Sequence, residues 1–285
     1  MNTLIIGLSL GFLLFLVSAG LALIFGMLGV VNLAHGAFYM LGAYCTFQIV
    51  RSGGTFWMAL CIAPVIVGSV GAIVERVTLR PLYLREHQFQ FLLTFGLILV
   101  INEVVRLIWG VGFKEVEVPM ALQGSVAMPG GRVSIYRLFV IAVGAMVAFC
   151  LYFGLERSKF GVLVRAASSN SQMLGCLGVN VKLVRTSMFA FATALAAFGG
   201  AIAGPLVPLS LDMGFVIIID CFVVIVLGGL GNIRGVIIGA LLIGMTRALG
   251  QQYVPQLIEL LTFGVLVLTL VLRPQGLFNR RIRLA

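Results

Sequence analysis

The sequence predicts an all-α fold: a polytopic inner-membrane helical bundle of about 8–9 spans, several broken by glycine, with the C-terminus in the cytoplasm. Three observations predict it. First, 61% of the 285 residues are hydrophobic and 10% are charged, whereas a soluble domain carries roughly 25% charged residues. Second, the apolar residues form continuous stretches of about 20 that are apolar all round, not the ~10-residue alternating segments of a barrel. The 35 glycines against 8 prolines suit helices packed closely through small side chains. Third, the basic residues gather at the ends of the apolar stretches, as membrane orientation requires.

The stretches follow in order. Residues 3–34 are uncharged and longer than one helix needs, and Gly26, Gly29, Asn32, His35 and Gly36 interrupt the later part. One helix followed by a broken segment fits this pattern. A second span continues to about Val50, and Arg51-Ser-Gly-Gly makes a turn. A third covers roughly 55–74, followed by ERVTLRPLYLREHQ, whose Pro81 stops a helix. A fourth runs over 89–110. A mixed-charge loop with Lys114, Glu115, Glu117, Pro119 and Pro129 leads to a fifth span, about 135–155. After a polar segment, a sixth covers 186–206. The apolar region 214–250 is interrupted at 228–235, and a last span covers about 256–272.

Of the 19 Lys and Arg, 12 fall in three segments: 75–88, 156–185 and the tail, with Arg273, Arg280, Arg281 and Arg283. The alternate segments hold few, namely Arg51, Lys114 and Arg132. This asymmetry places the three basic segments in the cytoplasm. The net charge of +10 therefore reads as orientation in a lipid bilayer, and no nucleic-acid partner is expected. The cysteines Cys45, Cys61, Cys150, Cys176 and Cys221 are widely spaced without a CxxC, so they read as small packing residues rather than disulfides or metal ligands. No base precedes Arg51, so the first span reads as a retained helix rather than a cleaved signal. The expected location is the bacterial cell inner membrane, multi-pass.

Residues 156–185, ERSKFGVLVRAASSNSQMLGCLGVNVKLVR, carry five bases against Glu156. Their middle predicts a short amphipathic helix. Ser168 or Ser169 caps it, Met173 and Leu177 fall one turn apart with Leu174 beside them, and Gly178 ends it. A short helix with an apolar stripe, flanked by bases and exposed to the cytosol, is a docking element.

Few polar groups lie within the spans, where each is costly. Asn32 and His35 sit in the first break, and His35 has two readings: lining a solute path with freed backbone groups, or a satisfied packing histidine. Glu103 and Arg106, beside Asn102, stand at i,i+3 and read as a structural pair. Asp220 is apolar on both sides, facing either a wet cavity or the outer interface. Arg247 and Glu259 lie near the end. Gly26-Met-Leu-Gly29 with Asn32 and Gly36 is echoed by Gly228-Gly-Leu-Gly231 with Asn232 and Gly235. Glycine breaks at corresponding places in two halves point to a central path between discontinuous helices. Ala192, Ala196, Gly200 and Gly204 recur every fourth residue, a ridge for close packing within the subunit or at a subunit interface.

No catalytic constellation stands out: HExxH, GxSxG and paired acids on a helix face are all missing, and so is the Gly-Lys of a phosphate loop. Neither a metal nor a cofactor is expected; if ATP drives this chain, other subunits bind it.

Five ordered blocks carry a resemblance over nearly the whole chain. They are GLALIFGMLGVVNLAHGAFYMLGAY (20–44), ERVTLRPL (75–82), LLTFGLILVINEVVRLIWG (92–110), VRAASSNSQMLGCLGVNV (164–181) and VLGGLGNIRGVIIGALLIG (226–244). Together the chain resembles the LivH-type permease of branched-chain amino-acid ABC importers. That resemblance implies a single transmembrane permease domain over 1–285, with 156–185 as its cytoplasmic coupling loop. It also implies two cytoplasmic ATPase subunits, a second related permease subunit and a periplasmic substrate-binding protein. Arg165, Ser169, Asn170, Met173, Leu174, Leu177 and Gly178 would form the ATPase coupling surface. Asn32, His35, Asn102, Asp220 and Asn232 are the candidate substrate path. Ala37 stands where the family's first motif commonly has an acid, and Ser169 and Asn170 where its coupling loop commonly has one. Relatives of this type carry leucine-like amino acids, other amino acids, urea, short amides or aromatic acids. The alternative is a stand-alone secondary transporter or channel for a small solute, which would want a chain of intramembrane acids that this sequence nearly lacks.

Overall fold

The computed structural model describes residues 2–83, 85–128 and 131–278. Arg280, Arg281 and Arg283 of the expected tail, Pro129 and the Glu156 side chain lie outside what is described.

Eleven α-helices are described: α1 Asn2–Leu28, α2 His35–Arg51, α3 Phe56–Val74, α4 His87–Trp109, α5 Ile135–Arg157, α6 Lys159–Ser169, α7 Ser171–Cys176, α8 Val181–Ala203, α9 Met213–Gly228, α10 Ile233–Tyr253 and α11 Ile258–Leu272. Seven described helices are long and apolar enough to cross a membrane; α9, with 16 residues, is apolar but shorter, and α2 has 17. The expected turn after Arg51 is present, and Thr55 then caps α3 by accepting from the Met58 amide at 3.2 Å. The chain leaves α3 through a π-helical turn over Glu75–Leu79 and a 3-10 turn at Arg80–Leu82, where Pro81 cannot continue the ladder.

The bundle has an inner and an outer layer. α1 is 78% buried over its most apolar window and packs along both α10 and α8. α8 fills the space between α2 and α3. α3, α4, α5 and α11 turn apolar side chains outward, and α11 has only 6% of its window buried. In lipid, apolar side chains gain little by leaving the solvent, so close van der Waals packing holds the inner layer together. The small-residue ridge of α8 is used in this way. Ala192 and Ala196 are fully buried, the Ala192 carbonyl lies against Gly20 of α1, and Gly200 lies against the Tyr39 backbone of α2. Of the two uses open to this ridge, packing within the subunit is the one observed.

The basic segments 75–88 and 156–185 and the described start of the tail, 273–278, gather at one end of the bundle. There Glu75 meets Thr186, Ser168 meets Gly26, and Asn232 meets the Phe278 carbonyl. The opposite end holds the segments poor in bases. Gln48 meets Trp109 there, and Lys114 bridges to Leu209. It also carries an antiparallel hairpin, β1 Ser125–Met128 with β2 Gly131–Ser134, in the segment expected to be a plain loop. Val126 paired with Val133 is the period-two signal that could have revealed it.

Candidate functional site

The 156–185 segment is two helices, not one. Ser158 Oγ accepts from the Gly161 amide at 3.0 Å and starts α6. Asn170 then breaks the chain and caps α7, its Oδ1 accepting from the Met173 amide at 2.9 Å. This corrects the expected cap. Ser169 Oγ donates back to the Arg165 carbonyl at 2.7 Å, and Ser168 Oγ donates to the Gly26 carbonyl at 2.5 Å. Both serines therefore lie in the last turn of α6, while Asn170, in extended backbone between the two helices, starts α7. Gly178, at φ +82°, closes α7. Met173 and Leu177 are 61% and 73% exposed, whereas Leu174 is buried and anchors α7 on the bundle. Arg165 donates to the Leu155 carbonyl, tying α6 back to α5. The expected coupling residues thus form one projecting elbow with an exposed apolar tip.

Beyond the elbow, Asn180 caps α8 through the Leu183 amide at 3.1 Å. Thr186, in the second turn of α8, reaches a carboxylate the sequence reading missed. Glu75 is fully buried and accepts from Thr186 Oγ1 at 2.6 Å, Tyr83 Oη at 2.9 Å and Arg80 Nη2 at 3.2 Å. Burial first, then the Glu75 charge, pushes the Tyr83 phenol above its ordinary pKa. The Arg185 guanidinium sits over the Tyr83 ring at 5.1 Å. The available signal was an acid opening a basic loop directly after an apolar span.

The two glycine breaks face one another. A Cβ on Gly26 would lie 3.1 Å from the Gly231 Cα, and Gly29 and Gly231 hold φ of +66° and +77°. Only glycine takes those angles without strain and lets the two chains approach so closely. Asn32 lies in the first break, fully buried, and neither its Oδ1 nor its Nδ2 has a partner among the described residues. His35 begins α2, its Nε2 lying 3.0 Å from the Val17 carbonyl while Nδ1 has no partner among the described residues. Unpaired buried polar groups of this kind each cost about 1–3 kcal/mol.

The remaining candidates have other surroundings. Asp220 is not alone: Arg247 of α10 grips it through both Nη atoms at 2.5 Å and extends to Glu259 at 3.6 Å. Neither of the two settings expected for Asp220 included this ion pair, because the partners stand 27 residues apart on neighbouring helices. Asn232 caps α10, accepting from the Arg234 amide at 3.1 Å. Asn102 is half-buried on α4, and its Oδ1 has no partner among the described residues. Glu103 and Arg106 form the expected i,i+3 pair on the exposed side of α4. The structure brings the breaks at Asn32 and Asn232 to the same end of the bundle. A cavity of about 660 Å³ beside the first break is lined by Gly29, His87, Gln88 and Gln90 with apolar neighbours, and a cavity of about 720 Å³ lies between α3, α5 and α8. Neither touches any of the five path candidates.

The family model for the permease component of branched-chain amino acid transport systems matches residues 3–270. The chain belongs to this family. It is 29% identical to BraD, the high-affinity branched-chain amino acid transport system permease protein of Pseudomonas aeruginosa, over 98% of this chain and 96% of the relative. It is 27% identical to the corresponding LivH of Escherichia coli, covering 96% and 94% of the two chains. LivM of the same organism, also a permease protein of that system, is 25% identical over 90% of this chain and 66% of the relative. No solved structure matches the chain. The LivH-type resemblance is thereby confirmed. A permease of this family moves a solute and is not an enzyme. Its apolar helices make it a multi-pass membrane protein.

Proposed function

We propose that this permease is the membrane subunit of an ABC importer in a bacterial inner membrane. It carries branched-chain or related amino acids and is driven by two separate cytoplasmic ATPase subunits. A second related permease and a periplasmic binding protein complete the transporter. The observation that carries the reading is the elbow of α6 and α7. It is an exposed Met173–Leu177 pair on a capped short helix, held at the end of the bundle where the bases gather. An apolar pair so exposed, with Leu174 fixing the helix beneath it, suits a groove in a soluble partner. The drive then enters through short linkages: Ser168 touches the Gly26 carbonyl where α1 breaks, and Thr186 touches Glu75 where α3 ends.

The substrate reading rests on the glycine breaks. A zwitterion is matched by helix ends and freed backbone groups without a fixed countercharge, and the unpartnered amide of Asn32 is such a polar group at a break. BraD and LivH, permeases of branched-chain amino acid transport systems, support amino acids with branched chains.

Replacing Met173 and Leu177 together with Asp is expected to abolish ATPase co-purification while leaving membrane insertion intact. Co-purification at the unsubstituted level would refute the docking assignment.

A further inference from the structure

We infer that Glu75 and Thr186 form a clasp that passes the movement of the docking elbow to the end of α3 and the turn that follows it; the inference rests on the docking reading above. Glu75 is a positioning residue here and touches no solute.

Three features lead to it. The Glu75 carboxylate is fully buried and holds three donors from two separate parts of the chain: Arg80 and Tyr83 from the turn after α3, and Thr186 from α8. Arg80 also donates to Thr186, so the three side chains close a ring. The carboxylate opens a π-helical turn, a local widening of the helix that concentrates at functional sites. The arrangement is also directional. α7, Asn180 and the first turn of α8 form a short run of capped structure, so a push on the elbow arrives at Thr186 with little slack. Arg185 over the Tyr83 ring adds a second grip across the same seam.

Bracing alone would need less. α3 and α8 already pack along much of their length through small residues; Gly71 lies against Thr193 and Gly68 against Ala194. The buried charge is placed instead at the last point before the chain leaves the bundle. The Thr186 hydroxyl has one proton and two acceptors within reach, Glu75 Oε2 at 2.6 Å and the Lys182 carbonyl at 2.9 Å. It can therefore release α3 without being left unpaired, as a two-position coupling requires.

Thr186→Val keeps the shape and removes the hydroxyl; Thr186→Ser restores it. The test uses the chain assembled with its partner subunits in lipid vesicles, measuring leucine taken up per ATP hydrolysed. Thr186→Val is expected to co-purify with the ATPase normally and hydrolyse ATP, while leucine moved per ATP falls about tenfold, within the usual span of coupling free energies. Thr186→Ser is expected to regain it. An unchanged ratio in Thr186→Val overturns the clasp and leaves the docking reading standing. Undiminished ATPase association in the Met173→Asp, Leu177→Asp variant overturns the docking reading and the clasp with it.

Discussion

Arg247 holds Asp220 with both Nη atoms of its guanidinium at 2.5 Å, joining α10 to α9. Asp220 is 4% exposed, so its charge depends on that fork. Losing one partner of such a pair costs about 3–5 kcal/mol, since the other is left buried without its countercharge, whereas replacing both by apolar groups is far milder. Arg247→Met is therefore expected to lower the melting temperature of the detergent-solubilised protein strongly. Asp220→Asn is expected to be milder, because Glu259 still faces Arg247. Asp220→Leu with Arg247→Met should recover most of the loss. Equal melting for Arg247→Met and the unsubstituted chain would show that the pair carries no stability.

The contact of Gly26 with Gly231 makes a second prediction. Gly231→Val puts a branched side chain at φ +77° and within about 3 Å of the Gly26 backbone. Backbone strain and overpacking each cost about 1–3 kcal/mol. Fluorescence-detected size exclusion should show most of the variant lost from the monodisperse peak, with Gly96→Val, where a Cβ meets nothing within 4 Å, unaffected.

Sidedness is open to chemistry already in the chain. Cys176 ends α7 and is exposed on the elbow, while Cys61 and Cys150 are exposed on the apolar outer helices α3 and α5. A membrane-impermeant maleimide is expected to label Cys176 in inside-out vesicles and to leave it unlabelled in right-side-out ones. Cys176→Ser identifies the signal. Labelling from the periplasmic face would place the elbow on the wrong side for an ATPase.

The buried polar groups of the first break predict a functional cost. Asn32→Leu and His35→Ala are expected to reach the membrane at normal levels and to cut leucine uptake about tenfold or more, the scale of losing a well-placed polar contact. Normal uptake by both would make these residues packing elements only.

Much of this protein is legible in its sequence. Uncharged stretches of the length that spans a bilayer mark the helices, and the bases of 75–88 and 156–185 sort the loops onto one end because charge and hydrophobicity are properties of the chain alone. The same holds for the glycine breaks, for Glu103 with Arg106 one turn later, and for the Met173–Leu177 stripe, all set by local periodicity.

What the tertiary structure decided are pairings across sequence distance. Asp220 finds Arg247, Glu75 finds Thr186, Gly26 meets Gly231, and the α8 ridge packs inward on α1 and α2. The cap of α7 passed from serine to Asn170 because α6 runs through both serines and leaves Asn170 as the extended residue between the two helices, with Ser168 held on the Gly26 carbonyl. A linear pattern says which groups need a partner. Only the packed bundle says which partner is close enough, because that choice depends on helix orientation and distance, which no local sequence window contains.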